Sequence, residues 1–277
     1  MSAATKPGLS GPVRNSDGEF QSSRALRRQY DFWIDRFQKL SGPKFIARAK
    51  RALPSASFDG MVVGMALAMQ RKRDKHLREQ GTRGLVELAE AGFNLARYNL
   101  AVQRTGTPAE QSSAFELMTV VAETETSDPY LKGLALAGVG ECYENGHGVG
   151  VDVAKAHEYY EQAVEYGVAE AAFNVALYHD EKEFARVRGP VDLEKAARYY
   201  QRGAELGDVK CMTNVGILYA TRRLGEEKAA EGRDLLKRAS SKGDRVADQV
   251  IGALGSIDAM RASAPAADLT SVLVRRF

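Results

Sequence analysis

Apolar residues along this chain recur at spacings of three and four rather than two, the period of one helical face and not of a strand. Leu26, Tyr30, Trp33, Phe37 and Leu40 make one such stripe, while Arg24, Arg27, Arg28, Asp31, Asp35 and Gln38 fall off it. The pattern predicts a helix over residues 24–40, ended by Ser41, Gly42 and Pro43. A second run, Phe45, Ile46, Ala49 and Leu53, stops at Pro54. Residues 1–22, rich in Ser, Gly, Pro and Ala, show no period and are expected to be disordered.

Further on the chain repeats itself. Asp152, Ala156, Tyr159, Tyr160, Ala163 and Gly167 return as Asp192, Ala196, Tyr199, Tyr200, Gly203 and Gly207, every one displaced by 40 residues. Gly232, Leu235, Leu236, Ala239 and Gly243 form a weaker copy, and Ala114, Leu117, Met118 and Val121 a weaker one still. A second motif alternates with the first: Asn94-Leu95-Ala96, Gly138-Val139-Gly140, Asn174-Val175-Ala176 and Asn214-Val215-Gly216. Two alternating amphipathic motifs in each step of about 40 residues describe a helical hairpin stacked along an axis.

Helices are therefore expected near residues 93–103, 108–123, 130–145, 152–166, 169–182, 192–206, 209–222, 226–242 and 244–258, with no sheet. The punctuation fits. Asp152 and Asp192 stand at N-cap positions, and Asp128-Pro129 opens a helix in the same way. Thr107-Pro108-Ala109-Glu110 has the form of a capping box. Gly92, Gly167, Gly207 and Gly243 stand where a helix needs a left-handed closing residue.

The segment Gly138-Val-Gly140-Glu-Cys-Tyr143-Glu-Asn-Gly146-His-Gly148-Val149-Gly-Val-Asp152, continued to Gly167, resembles the Sel-one-like repeat, a relative of the tetratricopeptide repeat. The loop Gly146-x-Gly148-Val149-x-x-Asp152 is the most specific part, and only the copy at 136–167 carries it whole. The resemblance covers roughly residues 93–245, with a degenerate repeat at 58–92. It implies an all-α, right-handed solenoid of stacked hairpins that holds a protein or peptide partner in a concave groove. The expected layout is a disordered tail at 1–22 and a basic helical segment at 23–57, whose helix caps the first repeat. Repeats follow at 58–260, then a C-terminal tail at 261–277.

Charge adds a second possibility. Residues 1–52 hold eleven Lys/Arg against four Asp/Glu, a balance of +7, and the remainder holds 28 against 32, a balance of −4. A basic segment ahead of a mildly acidic body could meet nucleic acid or another anionic partner. Such a regulator is the alternative to the scaffold, with nucleic acid the less favoured partner. A hydrolase akin to the secreted, disulfide-rich repeat proteins linked to β-lactam binding is a more distant alternative. This chain has only Cys142 and Cys211, too few for a cysteine pair in each repeat. No signal-peptide core or membrane span is visible, so the expectation is a cytoplasmic protein without a membrane partner.

No catalytic residue and no cofactor is expected. The chain shows no Gly-x-Ser-x-Gly, no phosphate loop and no dinucleotide fingerprint. Cys142 and His147 stand close in sequence, but no second ligand pair follows. His157 is expected to face outward beside Tyr159, and His179 fills a tyrosine position, so no metal site is expected. Arg71-Lys72-Arg73-Asp74-Lys75-His76 reads as a solvated helix end. Candidate partner-binding residues follow from the resemblance. Asparagines before the small residue of the first helix can clamp a peptide backbone, which points to Asn94, Asn174 and Asn214 as a ladder. Arg97, Phe173, Lys210, Thr213 and Ile217 stand around them, a mixed apolar and basic set suited to a peptide with an acidic end.

Overall fold

The computed structural model describes residues 60, 63–64, 66–67, 69–71, 73–125, 128–180 and 190–263. The helix expected at 24–40, its capping role, the N-terminal tail and residues 264–277 lie outside these residues, while 261–263, expected in the C-terminal tail, belong to the last helix. Those described contain ten α-helices, one 3-10 turn and no strand. In chain order the helices are α1 (Lys75–Glu90), α2 (Asn94–Thr105), α3 (Gln111–Glu123), α4 (Pro129–Asn145), α5 (Val153–Glu165), α6 (Ala169–Asp180), α7 (Leu193–Glu205), α8 (Val209–Ala220), α9 (Ala229–Ser241) and α10 (Arg245–Ser263). None is long and apolar enough to cross a membrane.

The chain divides into two compact units, residues 1–100 and 101–277. In the first, α1 packs through glycine. A Cβ on Gly81 would lie 2.6 Å from the Ala66 carbonyl and 2.8 Å from Cβ of Met69. Val63, Ala66, Met69, Leu85 and Leu88 form its apolar interior. Asp74, inside the basic run, caps α1 by accepting from the Leu77 N–H at 2.9 Å.

In the second unit consecutive helices pack on one another from α3 to α10. Three aspartate caps behave as the sequence predicts, and Asp208 adds a fourth that was not expected. Asp128, Asp152, Asp192 and Asp208 accept from the N–H groups of Leu131, Lys155, Lys195 and Cys211. Thr107 differs: its side chain makes no cap bond, and Pro108–Glu110 forms a 3-10 turn ahead of α3. At the other helix ends Gly167, Gly207 and Gly243 take φ of 81°, 98° and 89°. The residue after each donates back to the carbonyl of Ala163, Gly203 or Ala239, closing the turn.

The two helices of a hairpin meet through one recurring contact. On the first helix it uses Gly140, Ala176 or Gly216; on the second, Ala156, Ala196 or Gly232, with Tyr160, Tyr200 or Leu236 one turn on. All nine are buried. A Cβ on Gly140 would lie 3.1 Å from the Ala156 carbonyl and 2.9 Å from the Tyr160 ring. One on Gly216 would lie 3.2 Å from the Gly232 carbonyl and 3.0 Å from Cγ of Leu236. The small residues let the backbones approach, and the large one fills the space beside them.

Two glycine substitutions separate backbone conformation from helix contact. Gly207 has open space around it, so Gly207→Ala meets only the left-handed strain and should cost roughly 1 kcal/mol. A Cβ on Gly232 would meet Tyr219 Cβ at 2.7 Å, the Gly216 carbonyl at 2.8 Å and the Ala220 backbone nitrogen. Gly232→Ala should therefore cost about 2 kcal/mol or more by overpacking, despite alanine's better helix propensity. Urea unfolding of both variants measures the order, and a larger loss in Gly207→Ala would contradict the packing described.

Candidate partner-binding face

In α6, Ala171, Ala172, Val175 and Ala176 are buried, which leaves Glu170, Phe173, Asn174 and Leu177 on the outward stripe. The matching stripe of α8 is Lys210, Asn214 and Ile217, and that of α4 is Leu134, Ala137, Gly138 and Glu141. These stripes adjoin. The Lys210 ammonium lies 5.7 Å from the centroid of the Phe173 ring, joining α8 to α6. Tyr160 on α5 donates to Glu144 Oε2 at 2.8 Å and lines a small cavity with Glu144 and Asn174, bringing α4 and α6 together. Burial and the neighbouring carboxylates raise the pKa of its hydroxyl, so it stays a neutral donor.

The surface so formed is an amphipathic strip. Phe173, Leu177 and Ile217 supply apolar area, Lys210 a cation, and Glu141 and Glu170 exposed carboxylates. Partial desolvation and the charges of Glu170 and Glu144 hold the Glu141 carboxyl above its ordinary range, against a lowering from His147.

The predicted site residues divide. Phe173, Asn174, Lys210, Asn214 and Ile217 share this face. Thr213 does not: it is 3% exposed and donates to Asp244 Oδ2 at 2.9 Å. Asn94 and Arg97 belong to the first unit and close the α1–α2 turn, Arg97 donating to the Ala89 carbonyl at 3.1 Å and to Asn94 Oδ1 at 3.0 Å. The three asparagines occupy one repeat position but make different bonds, Asn214 donating to the Lys210 carbonyl at 2.9 Å. Sequence reasoning passed over Glu141, Glu144 and Glu170, which give the α4–α6 side of the face an anionic character. Their signal was helical spacing, Glu141 and Glu144 standing three apart on α4.

A second polar cluster lies where α5, α6 and α7 meet. His157 does not face outward. Its side chain is 11% exposed and its ring centroid lies 4.1 Å from that of Tyr178. Its Nε2 is 3.2 Å from Nε2 of His179, and its Nδ1 is 3.7 Å from Glu161 Oε2. Glu161 Oε1 accepts from the Tyr199 hydroxyl at 2.8 Å and lies 3.7 Å from Lys195 Nζ. Burial and this carboxylate push the Tyr199 phenol up to about 12.

The Sel1 repeat family model matches residues 133–167, 169–208 and 209–244, the hairpins just described. Residues 133–244 are Sel1 repeats. The backbone of the chain is similar to the crystal structure of a Sel1 repeat protein from Oxalobacter formigenes, with 22% identity, 71% of this chain and 78% of that chain covered, and a TM-score of 0.57. The immunity protein Pa5087 from Pseudomonas aeruginosa gives 13% identity, coverage of 82% and 86%, and a TM-score of 0.42. A protective antigen of uropathogenic Escherichia coli with an SLR fold gives 17% identity, coverage of 82% and 71%, and a TM-score of 0.25. No curated protein matches the chain at a significant level.

The Sel1 repeats hold both cysteines as buried free thiols. Burial, reinforced by Glu141, pushes the Cys142 thiol up to about 11. Burial and then Asp208 raise Cys211 as well. Neither is an activated nucleophile. A disulfide reagent at pH 8 should modify the native protein only as fast as it opens. Prompt reaction of either thiol in the folded state would contradict the burial.

Proposed function

We propose that this protein is an interaction scaffold that holds an extended segment of a protein partner across the outward stripes of α4, α6 and α8. The observation that carries this reading is the Phe173–Lys210 contact between first helices of successive repeats. It makes separate stripes into one continuous strip with half-exposed apolar side chains along it. A rigid strip gains affinity from many modest contacts spaced at the repeat interval, with little ordering cost on its own side. The partner segment supplies apolar side chains for Phe173, Leu177 and Ile217. A basic group faces Glu141 and Glu170, and an acidic one faces Lys210. Catalysis has no part in this reading, since the strip is open and the thiols are masked.

The test uses photo-crosslinking amino acids at positions 170, 177 and 217, with positions 194 and 198 on the exposed side of α7 as controls. One host protein should crosslink from the first three and not from the controls. Combining Glu170→Lys with Lys210→Glu should then weaken that complex about tenfold or more without shifting the melting temperature. Crosslinking from α7 alone, or affinity untouched by the charge reversal, would move the interaction elsewhere on the protein.

A further inference from the structure

We propose that His157, Glu161 and His179 form a binding site for a divalent transition-metal ion of the zinc class. This inference stands apart from the partner-binding strip and needs no partner. His157 and Glu161 are four residues apart on α5, so one helical face carries an imidazole and a carboxylate side by side. His179, in the last turn of α6, brings a second imidazole to them. One ligating atom from each of the three can be chosen so that all lie within 4.8 Å of one another.

The spacing of the two rings carries the argument furthest. Their Nε2 atoms are 3.2 Å apart. Two nitrogens bound at zinc's usual bond length, about 2.0–2.1 Å, stand roughly 3.3 Å apart across a tetrahedral edge. Two imidazoles this close have two arrangements open to them: one N–H donates to the other's lone pair, or both lone pairs face a cation. Burial leads the lowering of the His157 pKa; Lys195 also lowers it, while Glu161 and Glu158 oppose. Imidazole ligates metal in its neutral form, which burial favours at His157. Tyr178 packs on the His157 ring and Tyr199 stacks near His179, fixing both planes.

The carboxylate stands at the Nδ1 edge of His157, within 4.8 Å of a ligating nitrogen of each ring. Glu161 Oε1 is engaged by Tyr199 and Lys195, and Oε2 is the oxygen turned toward His157. An entry path exists, because His179 lines an open cavity of about 650 Å³ with Asp192, Lys195 and Arg223. Lys195 opposes a cation here, since its ammonium already neutralises part of the charge on Glu161, and Arg223 adds a second positive charge to the cavity.

The experiment is calorimetric titration of the untagged full chain with Zn²⁺ at pH 7.5, paired with thermal melts. The wild-type protein should bind one equivalent and melt at a higher temperature in its presence. His157→Gln and His179→Gln should each weaken binding by at least about tenfold, and Glu161→Gln should weaken it too. Lys195→Gln leaves all three ligands in place and removes the opposing charge, so it should tighten binding. Circular dichroism of every variant establishes that the fold is kept. If the wild-type protein takes up no Zn²⁺, or both histidine variants bind it undiminished, the site is disproved. Lys195→Gln also guards the test: should the histidine variants fail to fold, unchanged or weaker Zn²⁺ binding in that protein overturns the proposal.

Discussion

The helix pairs depend on one contact, the passage of a first helix over a second with a small residue on each side. Gly140 over Ala156, Ala176 over Ala196 and Gly216 over Gly232 repeat it with different small residues. Helix axes that approach this closely bury their flanking large residues as a consequence. Tyr160, Tyr200 and Leu236 are 5%, 0% and 0% exposed although two of them carry a hydroxyl. The aspartate caps and left-handed glycines act one level below. They set where each helix begins and ends, and so bring the small residues opposite one another.

The same geometry divides the labour between the two helices of a hairpin. A second helix is enclosed on its packing side and presents polar groups elsewhere, as Ala196, Ala197 and Tyr200 against exposed Glu194 and Arg198 show in α7. A first helix is nearly all buried apart from one narrow stripe, as α6 and α8 show. That stripe is where side chains of successive repeats meet without belonging to the core. The Tyr160–Glu144 hydrogen bond anchors it from below, tying α5 to α4 beside Asn174.

Much of the architecture was legible because it is written locally and more than once. The 40-residue step, the aspartates before each run and the closing glycines are short-range signals whose physical meaning does not depend on distant contacts. Thr107 shows the limit even there, since Pro108 tightened the first turn to a 3-10 geometry and left the threonine uninvolved. The candidate face was only half legible. Thr213 and Lys210 stand three apart on α8, yet one is buried against Asp244 and the other is exposed. The histidine pair was not legible at all: the rings are 22 residues apart on different helices, and no spacing rule joins them. The readable part was Glu161 one turn after His157. It gained significance only once α6 delivered His179 alongside.

The narrowness of the first-helix stripe has an evolutionary consequence. Positions 170, 174, 177, 210, 214 and 217 take little part in the small-residue crossing, so selection can rewrite them while the crossing stays fixed. Positions 140, 156, 216 and 232 admit almost no change, because added volume at any of them would push whole helices apart. Drift should accordingly be uneven along the chain, slow at the glycine and alanine crossings and fast along a stripe of a few residues in each repeat. An ancestral stack could be handed from one client to another by changes confined to that stripe, with its folding machinery inherited intact.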